Sequence, residues 1–306
     1  MTNAGAGDAA PFLVGIGAVF IDDIVLPGDR VYRDCLGGGV IHGLLGAAVW
    51  GERPGLVAVA GRDLPEPALT VLRRAFDLRG LRWLDLPQIR AWQHFDAEGN
   101  RSETYQVEVI APFITGAQPE HYPAAYAGSQ AHYVLQGFEG IRTWREKLDG
   151  FILWEPLQQV MLPENREAMR ETLQGGGINV VSPNLLEARL VYGDDRTPEE
   201  LVTAMFADGA PMVAMRMGAA GSLIASRETG ERQFIASVPV SKVVDQTGAG
   251  NAYCGTLTAG IGRGKSLREA GAMAAVSASY CIERVGVIAI ETVIREERNQ
   301  RYDLVL

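Results

Sequence analysis

One segment carries residue types whose spacing could do chemistry: Asp245-Gln-Thr-Gly-Ala-Gly-Asn251, running into the small-residue stretch Ala252-Tyr-Cys-Gly-Thr-Leu-Thr-Ala-Gly260. Glycines at a helix start let a ligand approach the backbone, and the first-turn amides have no partner inside the helix. They point outward at the positive end of the helix dipole. Gly248, Ala249 and Gly250 would therefore hold a phosphate, or negative charge that develops during group transfer. A glycine-rich turn needed only for tight packing has the same spacing, so both readings stand. A second candidate is Glu155 in Trp154-Glu155-Pro156, just after a short apolar run. In open α/β sheets ligands collect at that end of a strand. Cys35, Cys254 and Cys281 lack paired zinc-site spacing, and an odd count gives no disulfide framework.

The elements that must position these residues alternate. Short apolar runs at 132–136, 151–154, 178–181 and 212–215 read as strands, with helical patterns between them at 141–148, 163–173 and 198–207. That succession implies parallel pairing with right-handed crossovers. Residues 11–21 read as one buried strand, followed by Asp22 and Asp23, a Gly37-Gly38-Gly39 turn, a buried helix over 40–50 and an inner strand at 56–60. Segments 89–95 and 104–109 alternate apolar and polar residues like a half-exposed antiparallel ribbon, with turn chemistry in Asp96-Ala-Glu-Gly-Asn100. Two glycine-bounded helices are expected at 248–261 and 266–284.

The 47% hydrophobic share of 306 residues allows a substantial core and excludes a mostly disordered chain. A net charge of −9 argues against a nucleic-acid partner, which needs clustered Lys and Arg. No apolar run approaches the roughly 18–20 residues of a membrane span. No Lys or Arg precedes Arg30, so the charged start of a secretory signal is missing. The expectation is a soluble cytoplasmic protein: one α/β domain over 1–306 with a small β appendage.

Asp-x-Thr-Gly-Ala-Gly, followed by a polar residue and an aromatic, resembles the C-terminal signature of the ribokinase, or PfkB, family of sugar and nucleoside kinases. Other segments fall in that family's order. Gly17-Ala-Val-Phe-Ile-Asp22 is similar to its first strand, and Gly37-Gly38-Gly39 to its N-terminal glycine turn. Pro183-Asn184-Leu-Leu-Glu187 is similar to its Asn-x-x-Glu element, and Arg216-Met-Gly218-Ala-Ala-Gly221 to its nucleotide-phosphate loop.

The resemblance implies a ribokinase-like, Rossmann-type α/β/α sandwich with a central, mostly parallel sheet. A small β-sheet lid would come from about 22–36 and 89–113. It implies transfer of the ATP γ-phosphoryl group to a hydroxyl of a sugar, nucleoside or similar metabolite, with Mg2+. Asp22, Gly38 and Gly39 would bind substrate; Asn184, Arg216, Gly218, Gly221, Thr247 and Gly250 the nucleotide; Gly248 to Gly250 the transferring group. Glu187 would serve Mg2+, and Asp245 a monovalent cation such as K+. A homodimer through the lid is implied as well. The residues themselves leave other roles open: a turn-forming Asp22 or Asp23, and helix caps at Asn184 and Glu187.

The chain departs from the family pattern at three places. Asn251 stands where the family has its general-base Asp, and a carboxamide accepts no proton at neutral pH. His42 stands in the place of a substrate-binding Asn, or else packs at a helix start, and Gln246 replaces a small residue. Phosphoryl transfer depends mainly on positioning and charge neutralisation, so a transferase that is slow or has an unusual acceptor is expected. The alternative is a catalytically inactive binding or regulatory protein on the same fold.

Overall fold

The computed structural model describes residues 9–28, 30–96 and 101–306. The chain begins with β1 (Leu13–Ile16), β2 (Phe20–Leu26) and β3 (Arg30–Gly37), then α1 (Gly39–Ala48), β4 (Gly55–Gly61), α2 (Glu66–Ala75) and β5 (Asp77–Leu84). β6 (Arg90–Phe95), β7 (Arg101–Tyr105) and the short α3 (Ala111–Thr115) follow. Next come β8 (Ala131–Gln136), α4 (Phe138–Arg145), β9 (Phe151–Pro156), α5 (Arg166–Gln174), β10 (Val180–Val181), α6 (Leu185–Tyr192) and α7 (Pro198–Ala207). The last part holds β11 (Met212–Arg216), β12 (Ser222–Ser226), β13 (Arg232–Ile235), α8 (Ala249–Gly262), α9 (Leu267–Ile282) and α10 (Arg295–Asp303).

The main sheet has nine strands in the order β13-β12-β11-β10-β9-β8-β1-β4-β5. All its pairings are parallel except those of β12 with β11 and β13 at one edge. Consecutive strand residues feed opposite faces. Leu13, Tyr133, Leu153 and Val180 join the core under α1, α2, α8 and α9. Their neighbours Val14, Val134, Trp154 and Val181 join the core under α4 to α7. A strand covered on both faces has no wet side, which is why these segments read as unbroken apolar runs. The expected α/β/α sandwich is the observed fold.

The helix ends follow local chemistry. Thr197 accepts from Glu200 N, and Glu200 answers on Thr197 N, with Pro198 opening α7. Ser266 and Glu269 make the same reciprocal cap on α9. Such boxes satisfy first-turn amides that would otherwise lack partners.

A second sheet, β3-β2-β6-β7, forms the lid. β6 and β7 pair antiparallel, as the alternation at 89–95 and 104–109 suggested, although β7 begins earlier and ends at Tyr105. Of the expected turn at 96–100, residues 97–100 lie outside the described residues. The single strand expected at 11–21 is instead two strands in different sheets. Gly17 N makes a last bond to Val57 O, and the chain then crosses so that Ile21 pairs with Leu36 and Arg90. Val19 and Phe20 keep the run apolar through the crossing, because the junction is buried too. Asp22 therefore lies within a lid strand and not at the end of the first core strand. Among the described residues no helix is long and apolar enough to cross a membrane.

Candidate active site

Asp245 shapes the approach to α8. Its Oδ1 accepts Thr247 N at 2.9 Å and its Oδ2 accepts Gly286 N at 3.3 Å, tying this turn to the loop beyond α9. Gly248 caps the helix in the left-handed region, at φ 77°. A Cβ there would stand 2.1 Å from the His42 ring, so the imidazole lies directly on the helix head. His42 comes from α1, is 2% exposed, and its Nδ1 is 3.7 Å from Cys281 Sγ. Ala249 N donates weakly, at 3.3 Å, back to Gln246 O. The Thr247 hydroxyl is buried with no partner among the described residues.

Asn251, in the first turn of α8, sits against the glycine turn that starts α1. A Cβ on Gly39 would meet Asn251 Nδ2 at 2.7 Å, so only glycine leaves room. Asn251 Nδ2 donates to Glu155 Oε1 at 3.1 Å and faces the Tyr133 hydroxyl at 3.3 Å. Tyr133 in turn donates to Glu155 Oε2 at 2.5 Å. Burial, and then the charge on Glu155, hold the Tyr133 phenol well above its ordinary pKa, so it stays a donor.

Arg216, at the end of β11, completes the cluster. Its Nη1 lies 2.8 Å from Glu155 Oε1, and its Nη2 donates to Ser182 O at 2.8 Å and stands 3.6 Å from Glu187 Oε2. Both the Arg216 and Glu155 side chains are almost fully buried. Arg216 Nε has no partner among the described residues. A Cβ on Gly250 would stand 2.2 Å from Arg216 Nη1, which puts the guanidinium over the first turn of α8. Asn184 and Glu187 form the reciprocal cap of α6, Asn184 Oδ1 accepting Glu187 N and Glu187 Oε2 accepting Asn184 N, both at 2.8 Å.

Two cavities flank this cluster. One of about 260 Å³ lies under the lid, walled by Asp22, Gln93, His42, Glu155, Gln158 and Asn251. The other, about 500 Å³, has a largely apolar wall that includes Val238, Tyr253, Ala275 and Ile282, with Gly218 and Gly221 at its rim. Asn184, Arg216 and Gly250 border both. The chemistry this permits is transfer of an anionic group from one chamber to the other past the head of α8.

The sequence-derived candidates converge here. Asp22, Gly38, Gly39, His42, Glu187, Thr247, Gly248 and Asn251 line the lid cavity, while Gly218, Gly221 and Ala249 line its neighbour. Asp245 stands behind the turn as its brace. Sequence reasoning missed Tyr133 and Gln93. Gln93 lies opposite Ile24 in the lid, donates from Nε2 to Asp22 Oδ1 at 3.1 Å, and leaves its buried Oε1 without a partner among the described residues. A polar residue midway along an alternating strand was its only signal.

The profile described as "pfkB family carbohydrate kinase" matches residues 157–293. A cytidine kinase of Thermococcus kodakarensis is 26% identical over 263 residues, spanning 84% of this chain and 91% of the relative. An E. coli chain described as a ribokinase II, solved with ATP and Mg2+, superposes with a TM-score of 0.75 at 19% identity, over 96% of this chain and 99% of that one. A nucleoside kinase of Burkholderia thailandensis in complex with inosine gives 0.74 at 19% identity, over 95% and 96%. Residues 157–293 thus match the pfkB family carbohydrate kinase domain, in a chain whose overall fold is that of ribokinase-type structures.

Proposed function

We propose that this chain is an ATP-dependent phosphotransferase that phosphorylates a hydroxyl of a sugar, a nucleoside or a similar small metabolite. The observation that carries the reading is the meeting of two chambers at Arg216 and Gly250, at the amide-bearing head of α8. The larger chamber suits a nucleotide: an apolar wall for the base, and Gly218, Gly221 and Arg216 toward the phosphates. Arg216 Nε and the Thr247 hydroxyl are buried donors lacking partners among the described residues, and phosphate oxygens would satisfy both. Asp22 and the Gln93 amide oxygen present two acceptors to the lid chamber, matching adjacent hydroxyls of a sugar ring.

Glu187 is one carboxylate beside the shared border, which fits Mg2+ that draws its other ligands from phosphates and water. Bound there, the ion would neutralise charge on the transferring phosphates. Asn184 would hold the α6 start against the nucleotide, and the amides near Gly248 and Gly250 would meet the charge in transit. The same reading has two copies pair through the lid, whose edge strand β3 exposes Val31 and Tyr32.

The second reading, a protein that binds nucleotide without turning it over, is favoured by Asn251 and by the Arg216–Glu155 pair that bridges the chambers. One experiment separates the two: ADP release from Mg·ATP with cytidine, adenosine, inosine, ribose and fructose, beside calorimetry of Mg·ATP alone. Acceptor-dependent ADP release establishes the transferase. Binding without release leaves the silent protein.

A further inference from the structure

We propose that Glu155 takes the proton of the acceptor hydroxyl, doing the work absent at Asn251, and that Arg216 withholds this carboxylate until a nucleotide phosphate is in place. The inference rests on the transferase reading above and names its proton acceptor.

Four carboxylates among the described residues line the lid cavity: Asp22, Glu103, Glu155 and Glu187. Asp22 and Glu103 belong to the lid strands β2 and β7, and Glu187 is engaged in the cap of α6. Glu155 Oε1 accepts from Asn251 Nδ2 at 3.1 Å. It enters from β9 and reaches the position on α8 from which a base would act. Asn251 thus lacks a carboxylate of its own and holds the end of another.

The contacts of Glu155 give a sequence of events. Oε2 is held by Tyr133, and Oε1 accepts from both Asn251 and Arg216. Two of these donors keep the carboxyl group in place. The third, Arg216, also overhangs Gly250 and borders the nucleotide chamber. A γ-phosphate at the head of α8 carries more charge than a carboxylate and accepts the planar guanidinium fork more fully. Turning Arg216 toward it frees a lone pair on Oε1, on the acceptor's side, only when the phosphoryl donor has arrived. The acceptor oxygen then attacks the γ-phosphorus, the bond from that phosphorus to the β,γ-bridging oxygen breaks, and ADP leaves. The hydroxyl proton passes to Glu155 Oε1. The other titratable groups facing the carboxylate are Tyr133 on β8 and Cys254 on α8; burial first, then Glu155's own charge, raises both well above their ordinary values, so they stay protonated.

The test compares wild type, Glu155→Gln, Asn251→Asp and the double variant on Mg·ATP with the five acceptors named above, following kcat, KM and Mg·ATP affinity. Glu155→Gln is expected to lower kcat about 10²- to 10⁴-fold, the usual contribution of a positioned base, while Mg·ATP still binds. Adding Asn251→Asp should restore at least about tenfold, because a carboxylate returns beside the acceptor while Arg216 still lacks its partner. Restoration separates a proton acceptor from a mere counter-ion of Arg216. Asn251→Asp alone, with Glu155 intact, should gain no more than about tenfold, since the base is already present.

A Glu155→Gln enzyme with wild-type kcat overturns the inference alone. So does a double variant that recovers nothing, or a jump of about 10² or more for Asn251→Asp by itself. If Glu155→Gln fails to fold, the single Asn251→Asp measurement decides. Silence of wild type and Asn251→Asp on every acceptor overturns the transferase reading, and this inference with it.

Discussion

Asp22 and Asp23 are neighbours in sequence and serve opposite faces of one lid strand. Asp22 looks into the cavity and accepts from Gln93, with Gly37 packed so closely behind that a Cβ there would meet its carboxylate. Asp23 is turned away: it accepts Asp34 N at 2.9 Å and pairs with Arg33 at 3.2 Å and Gln106 at 3.3 Å. The period of two in a strand makes that division unavoidable. Steady-state kinetics on the acceptor should separate them. Asp22→Ala is expected to lower kcat/KM about 10- to 100-fold, the worth of a hydrogen bond to a charged group, with Mg·ATP affinity kept. Asp23→Ala should leave kcat/KM within about threefold and lower stability by about 1–2 kcal/mol.

Gly248 meets two demands at once. Its φ of 77° is costly for any side chain, and a Cβ would run into the His42 ring. Gly248→Ala should cost roughly 2–4 kcal/mol in urea unfolding and weaken Mg·ATP binding, because the helix head must shift. An unchanged urea midpoint would remove the steric argument for this turn.

How legible was all this in the sequence? The core strands were, because burial on both faces turns each into an apolar run, and the helical pattern expected at 198–207 is α7, Pro198–Ala207. The α8 head was legible through its glycines. The crossing at Gly17 was not, since hydrophobicity is blind to which of two sheets a buried residue joins. β5 and β13 were missed because they are the edge strands of the main sheet and partly wet. Glu155 showed only as a carboxylate near a strand end. Its meeting with Tyr133, Arg216 and Asn251 joins four separate elements, and no local pattern encodes register across a sheet. Gln93 looked like part of a wet face and is buried because Asp22 lies beside it.

Glu187 combines a structural task with a proposed one, and the two can be pulled apart. Glutamine keeps the side-chain acceptor of the α6 cap and removes the charge. Glu187→Gln should therefore unfold within about 0.5 kcal/mol of wild type while the Mg2+ concentration for half-maximal ADP release rises roughly tenfold. A shift in stability with no change in Mg2+ dependence would limit Glu187 to capping.

His132 sets an acid limit on stability. It is buried on β8, its Nε2 is 3.0 Å from the Tyr122 hydroxyl, and burial lowers its pKa to about 4 from 6.5. The unfolded chain binds a proton in this window that the native ring resists, so stability is full above pH 6.5 and declines as pH falls toward 4. The loss should approach about 3 kcal/mol. Urea midpoints measured at several pH values should fall across this window in wild type and less steeply in His132→Gln.

A crystal structure with Mg2+ and a non-hydrolysable ATP analogue tests the two-chamber arrangement most directly. The expected result has the base against Tyr253, Ala275 and Ile282, the γ-phosphate at the Gly250 amide, and Arg216 swung from Glu155 onto that phosphate. An analogue bound elsewhere, or a γ-phosphate held away from the head of α8 with the Arg216–Glu155 pair intact, would contradict it.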